Sequence, residues 1–594
     1  MEGKCYRQAI WAFEMAIKKR PEDEWMTRTY GMHFVDYFPH RELGITYYWL
    51  NDYSNALKEL KHSIQNASSD KAITFLDKVR TRILLVQKKE ISTPELNIFQ
   101  FEQSTVLWTN SDPVIISGMA TDDAFVKKVA VSGRPVFMEG AQKKFEFEEH
   151  LDLSEGKHEL LILAENLPGK TIERKVMIHV DRTGPVIMVN KKDLNEKIEG
   201  FIYDNSGNIE LQVDKIPYSV PVGNKVPFLI HWNNKQSIVL VARDKAGNQT
   251  KAIFYRDQAS DENSCDSNWI ARNDTGQSMI SENSLQAIKP PEITIDDPLE
   301  SRIIYSDKIV ISGHVDSETE IQALTINQDT VINEKGYNIF FSKIIPLTLE
   351  KNTVLIKTID KTGKATIKEL KLIRHQKEVF KHQYRLGIKL YPFEFMGDIL
   401  EANVFNKKLL YNLVERKRFR MFASGDFQDF NIINVKHELA QPESNFYYFK
   451  GNIYMGESGA LQVVGRVFSL KSEIIDVVDA YKEFEQSIPL NKKLVYMVQR
   501  ISEKLHRKFP LVSGIITQES DKGYTIQPQK WYYGKGPLRL GSSVLIYRSE
   551  NSENVDNSNT NILGKSYIVY LEKDVFKIHV INKTISIGDE VITQ

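Results

Sequence analysis

The stretch Leu386–Phe422, LGIKLYPFEFMGDILEANVFNKKLLYNLVERKRFRMF, is the one place in the chain where a strand pattern runs into a long amphipathic helix and on into another strand. Leu386, Ile388 and Leu390 alternate with the period of two that a pleated strand imposes on its side chains. Asp398 with Glu401 three residues on has the form of a capping box. Ile399, Ala402, Phe405, Leu409 and Leu413 then fall on one helical stripe, which Leu410 and Val414 widen. RFRMF, residues 418–422, restarts a strand.

Downstream, Ala460 to Phe468 and Glu473 to Tyr481 read as two further strands. Leu494 to Lys508 reads as a second helix with Val495, Val498, Ile501 and Leu505 on its apolar face. With Pro392, Phe393 and Glu394 closing the first strand and Glu415, Arg416 and Phe419 following the helix, residues 384–508 resemble the α/β domain shared by curli-secretion lipoproteins, TolB amino-terminal domains and flagellar assembly protein T. Curli-type channels insert amphipathic hairpins. Residues 423–459 carry Asp426, Lys436, Glu438 and Glu443 and lack sustained apolar alternation over two strands, so the non-channel relatives fit better.

Working outward, residues 509–594 offer six short strand patterns separated by Gly, Asn, Asp and Lys turns: FPLVSGIIT, GYTIQP, SSVLIYR, KSYIVYLEK, FKIHVI and ISIGDEVIT. Gly541 and the closing run Ile587-Gly588-Asp589-Glu590-Val591 resemble the small SH3-like barrel at the carboxy end of flagellar assembly protein T. Residues 549–561, SENSENVDNSNTN, read as a polar loop.

Upstream, the period is two from about residue 95 to 376. VIISGMATDD, from Val114, is mirrored by IVISGHVD at 309–316. QSIVLVARDKAGN at 236–248 is mirrored by KNTVLIKTIDKTG at 351–363. Short strands with Gly/Asn/Asp turns at this spacing predict three β-sandwich units, 95–183, 184–257 and 292–376. They resemble the bacterial immunoglobulin-like domains that serve as spacers in envelope proteins. Residues 258–291 are poor in large apolar residues, contain Cys265 and end in Pro290–Pro291. They read as a linker.

Residues 5–87 read as helical. Leu43, Gly44, Tyr47, Tyr53, Ala56 and Leu60 have the spacing of a tetratricopeptide repeat, and the segment 1–90 resembles that family. Ala9, Phe13, Ala16 and Pro21 match the second-helix half of a preceding repeat. The resemblance therefore implies a start in mid-repeat, internal to a longer gene product. Residues 22–40 are an insertion, and residues 70–87 a closing helix. The fold class expected is multidomain α+β: an amino-terminal helical repeat, about three β-sandwich units, one small α/β domain and a carboxy-terminal SH3-like β-barrel.

Composition bounds the function. The chain of 594 residues is too long for one core. Lys+Arg and Asp+Glu are both 78, which removes the electrostatic signature of a nucleic-acid binder. Two cysteines, Cys5 and Cys265, cannot build a disulfide framework or a cysteine metal site. No apolar run is long enough for a membrane-spanning helix, and residues 1–20 carry charges where a signal peptide is apolar.

No GxSxG, HExxH, P-loop or GxGxxG motif stands in the context its chemistry needs, so no catalytic, cofactor-binding or metal-ligating residue is assigned. His33 and His40 with Asp36 lack a third ligand at helical spacing and are read as packing. Asp122–Asp123, Asp204–Asn205 and Asp244 with Asn248 recur at sandwich turns. Such oxygen clusters suit calcium, but Asx and Gly residues make these turns in any case. Arg416-Lys417-Arg418-Phe419-Arg420 is read as a helix C-terminus favouring cations.

Two aromatic groups are the candidate partner-binding residues: Tyr47, Tyr48, Trp49 and Tyr53 in the repeat, and Trp531, Tyr532 and Tyr533 in the tail. The expected function is a non-enzymatic bacterial envelope scaffold or assembly accessory, periplasmic or at the outer-membrane periphery. Its partners would be other envelope proteins. One alternative is an adhesin or glycan-binding protein using the sandwiches and the tail aromatics. Another is a non-catalytic part of a longer enzyme. The alternative location is cytoplasmic.

Overall fold

A computed structural model of the chain describes residues 5–29, 34–87, 91–189, 197–233, 235–255, 289–296, 303–332, 335–395, 399–423, 436–437, 446–456, 459–520, 523–549, 561–572, 575–579 and 584–594. Among these the structure is mostly β, with six helices and a closed six-stranded barrel. The expected linker with Cys265, the capping-box Asp398, His33 and most of the polar loop of 549–561 lie outside the described residues.

Within Leu386–Phe422 and the residue that follows it, the strand Gly387–Leu390 leads to a helix at Ile399–Glu415 and back to the strand Arg420–Ala423, which pairs with the first in parallel. Ala402, Phe405, Leu409, Leu410 and Leu413 are buried, each large side chain worth about 1.5–3 kcal/mol of burial. Asn406 accepts from the backbone N–H of Phe393 (2.8 Å) and donates to its carbonyl (3.2 Å), so the Pro392–Glu394 corner is tied to that helix. Phe446–Met455, a ten-residue strand inside the segment that sequence patterning passed over, lies at the centre of the sheet. It pairs in parallel with Gly387–Leu390 and antiparallel with Ala460–Phe468. The second helix begins earlier than expected, at Leu490, and ends at Lys508. Its buried face is Leu494, Met497, Val498, Ile501 and Leu505, with Val495 only half-buried.

The first and third sandwiches share one plan. In each, a single long strand changes partners part-way. Val114–Val131 pairs with Gln142–Leu151 through Thr121, then with Gly156–Asn166 from Val126. Lys308–Ile326 pairs with Gly336–Pro346 through Asp316, then with Glu350–Asp360 from Ile321. The irregularity between the two halves bends the strand from one layer into the other. In the second sandwich the same path is split into Lys197–Tyr203 and Glu210–Val213. Gly118, Gly200 and Gly313 are equivalent. A β-carbon on each would stand 2.4, 2.0 and 2.3 Å from the carbonyl of Asn97, Met188 and Thr294, so only glycine lets the preceding strand lie this close.

The second and third sandwiches are joined through their strands. Val186–Val189 pairs antiparallel with residues 338–340 of the third unit, so one ten-stranded sheet runs through both. Pairing satisfies the exposed ladder groups that each unit alone would leave at its edge. The six carboxy-terminal strands close into a barrel in the order 512–520, 523–531, 576–578, 561–571, 543–548, 590–593.

The amino-terminal segment holds four helices: α1 Tyr6–Lys19, α2 Pro39–Trp49, α3 Tyr53–Asn66 and α4 Asp70–Val86. A β-carbon on Gly44 would lie 2.7 Å from Leu60, the close approach that the small residue permits. The segment is not helical throughout. The insertion forms a hairpin of Glu24–Arg28 and Phe34–Tyr37, bulged at Met26, which takes a left-handed φ of 54°.

Candidate functional site

The four repeat aromatics divide between two environments. Tyr47 on α2 lines a groove of about 950 Å³ together with Glu14, Ile17 and Lys18 of α1 and Lys58 and His62 of α3. Tyr48 and Trp49 turn the other way and meet Phe75 of α4 edge-on at centroid distances of 5.6 and 6.4 Å. Phe75 in turn meets Tyr481 of the α/β unit at 6.3 Å. Tyr53 lies 6.1 Å from Tyr48, and its hydroxyl donates to Asn51. In the tail, Tyr532 packs edge-on against Phe380 at 5.4 Å, and Tyr533 lies tilted against His506 at 5.8 Å. These two rings, with the half-buried Trp531 beside them, occupy the seam between the barrel and the α/β unit.

Arg418 does not serve as a surface cation at a helix end. It is fully buried and donates to the carbonyls of Phe509 (2.8 Å), Pro510 (3.4 Å) and Gln594 (3.1 Å), which fastens the last residue of the barrel to the α/β unit. Burial pulls its pKa down to about 9.

His40 and Asp36 do not share a metal. Nδ1 of His40 faces Glu59 at 2.5 Å and Nε2 faces the Pro21 carbonyl at 2.8 Å. Asp36 accepts from Met26 N–H and from Arg466.

At the sandwich turns the structure separates what sequence treated alike. Asp122 accepts from the Asn166 side chain (3.0 Å) and from Ala124 N–H (2.5 Å), while Asp123 is exposed beside Lys143. Asp204 and Asp244 come together with Asp181, which sequence reasoning missed. One oxygen from each lies within 4.8 Å of the others. Asp181 is the residue after the last strand of the first sandwich and had no partner visible in its own neighbourhood of the chain. Asn248 organises the group, donating to Asp244 Oδ2 (2.7 Å) and to the Asp181 carbonyl (2.9 Å). Among the described residues no lysine or arginine pairs with any of the three. Burial raises the Asp181 pKa to about 7 and that of Asp204 to about 6, and the neighbouring carboxylates add to both. Three convergent carboxylate oxygens are part of the oxygen shell that a hard cation takes. Among the described residues, these three carboxylates are the group close enough together to share one cation.

A second charged cluster joins distant parts of the chain. Asp70 at the start of α4 accepts from Arg500 (3.1 Å) and Lys504 (2.6 Å) of the second α/β helix, and Lys504 also donates to Asp479 (3.0 Å). Burial works against the Lys504 ammonium, but Asp479 and Asp70 outweigh it and hold its pKa above the usual lysine value. Arg500 further donates to the Met138 carbonyl (2.8 Å) of the first sandwich. On the other side of that loop, Asp77 accepts from Ala141 N–H (3.0 Å) and Arg80 donates to the Ala141 carbonyl (3.0 Å). Helical repeat, first sandwich and α/β unit therefore meet on the loop 136–141.

No protein-family model and no curated protein matches this sequence. Solved structures similar to it include SGBP-B of the Bacteroides ovatus mixed-linkage glucan utilization locus in complex with a mixed-linkage heptasaccharide. That likeness is at 10% identity over 85% of this chain and 100% of that one, with a TM-score of 0.11. The fibronectin(III)-like modules of Clostridium thermocellum CbhA share 10% identity over 32% of this chain and 94% of theirs, TM-score 0.12. Protocadherin gamma B7 cadherin domains 1–4 share 13% over 47% and 76%, TM-score 0.13. At these scores the likenesses carry no argument about this chain.

Proposed function

We propose that this chain is a non-enzymatic scaffold of a bacterial cell envelope that works by binding other envelope proteins. The observation that carries the reading is the groove beside Tyr47. It is open and bounded by three helices, with an apolar floor of Ile17, Leu43 and Leu57 and a rim that includes Lys18, Lys58 and Lys61. A groove of this build takes a partner helix or extended peptide on apolar anchors, with the rim setting orientation. The meeting of three modules on the loop 136–141 supports the same reading, because it fixes the groove relative to the α/β unit.

The test is a photo-crosslinking amino acid at Lys58 in cells making the full chain. The expected result is a crosslink to an envelope protein whose affinity for the purified chain falls about tenfold with Tyr47→Ala, a hot-spot-sized loss. Fractionation of the full chain to the cytosol, or a crosslinked partner that binds Tyr47→Ala unchanged, overturns the proposal.

A further inference from the structure

The paired strands Glu24–Arg28 and Phe34–Tyr37 stand over the face of the α/β sheet that is turned away from its two helices. Along the central strands, the core residues Phe449, Ile453, Leu461, Val463 and Val467 alternate with Asn452, Tyr454, Gln462, Arg466 and Phe468, which face the hairpin. Between hairpin and sheet lies a cleft of about 1370 Å³. That exceeds the roughly 300–1,000 Å³ of ordinary small-molecule pockets and suits a chain-like ligand.

Three features of its lining define the ligand. The first is aromatic rings on both walls. Trp25 and Phe34 stand on the hairpin side, and Tyr391, Tyr454 and Phe468 on the sheet side. Phe34 and Tyr454 are 48% and 37% exposed, with ring surface open to a ligand.

The second is charge. Asp36, Glu394 and Glu473 are matched in number by Arg41, Lys450 and Arg466, so the lining has no net formal charge that would favour an acidic or a basic chain. The third is a fixed polar group. Arg466 is only 7% exposed and is held by Asp36 and by Asn452 Oδ1 at 3.1 Å, so its guanidinium is set in place beside the cleft before a ligand arrives. The strain at Met26, whose N–H also bonds Asp36, belongs to the same arrangement.

We propose that this cleft binds a neutral oligosaccharide laid along the sheet. The apolar faces of its rings rest on Tyr454, Phe468 and Phe34, and its hydroxyls meet Asn452, Gln462 and Arg466. A peptide fits less well. The floor strands Phe446–Met455 and Ala460–Phe468 each already have two hydrogen-bonded neighbours, so the floor offers no backbone ladder for an added strand. The site is independent of the groove at Tyr47, and its failure would leave the scaffold reading standing.

The test is calorimetric titration of the full chain with neutral hexasaccharides of β-linked glucose, α-linked glucose, β-linked xylose, β-linked mannose and β-linked N-acetylglucosamine. Two extended decapeptides, one acidic and one basic, run beside them. The expected result is saturable binding of at least one sugar. Tyr454→Ala and Phe34→Ala, both on exposed rings, should each weaken it about tenfold with unchanged melting temperature. Tyr255→Ala on a sandwich strand should leave it intact. Binding of none of the sugars, binding that survives both aromatic replacements, or binding of a peptide in preference to every sugar overturns the proposal.

Discussion

Two clusters of buried carboxylates sit at module junctions, and they differ in one respect. Asp70 and Asp479 face Arg500 and Lys504, two acids against two bases. Asp181, Asp204 and Asp244 converge with no base among the described residues. The first junction is closed on itself. The second stores repulsion that a proton relieves. The flanking sandwiches sharpen the contrast, because they solve the same turn with one acid and a neutral partner. Asn166 donates to Asp122 in the first (3.0 Å), and Thr319 donates to Asp360 in the third (2.7 Å). Only the middle sandwich places aspartate at both positions.

The largest expected effect comes from unbalancing the balanced cluster. Lys504→Met leaves two buried carboxylates sharing one arginine and should cost about 3–5 kcal/mol. It would appear as a lower first melting transition and faster protease cleavage around 136–141. Next, Asn166→Asp converts the first sandwich to the pattern of the middle one. With two carboxylates buried face to face, it should lose about 2 kcal/mol at pH 7.5 and much less at pH 5. An equal loss at both pH values would show that shape, not charge, matters there.

The reverse change, Asp204→Asn, should raise the melting temperature at pH 7.5. The native chain should itself become more stable as pH falls. Asp181 and Asp204 have folded pKa values of about 7 and about 6, above the ordinary 3.8, so the folded state binds their protons more tightly. Their contribution is therefore most favourable near pH 4 and declines as pH rises to about 7. Thermal melts of native and Asp181→Asn chains between pH 5 and 7.5 measure the slope, which the substitution should flatten. The smallest effect is reserved for Asp123→Asn. That carboxylate is exposed beside Lys143 at 3.6 Å, and its loss should leave the melting curve unmoved.

Much of the fold was legible because it rests on local periodicity. The bounds of Ala460–Phe468 and the existence and order of the six barrel strands follow from alternation and turn residues, while the ends of several barrel strands lie three to five residues from where the pattern puts them; the helix at Ile399–Glu415 follows from one apolar stripe. The strand Phe446–Met455 is hard to read from sequence because Tyr454 stands on its cleft face while Phe449 and Ile453 fill the core, so large rings occupy both faces and the apolar–polar alternation is blurred. The strand pair Glu24–Arg28 and Phe34–Tyr37 is hidden by the helical patterns on both sides of it. Of the candidate site residues, Tyr47 lines a groove, while Tyr48, Tyr532 and Tyr533 lie in seams between modules. Nothing in a sequence distinguishes an aromatic that faces a partner from one that faces another part of its own chain.

What the sequence determined by itself is the kind of module and its order, since strand and helix periods and turn chemistry act over a few residues. What only the tertiary structure decided is where modules touch. It paired Val186–Val189 with the third sandwich, drew Asp70 to Arg500 and Asp181 to Asp244, and set Arg466 under a hairpin more than four hundred residues away in the chain. These contacts come from surfaces that remain after each module has folded. Their energy lies in burying edges and pairing charges across the chain, and that leaves no periodic trace in the sequence.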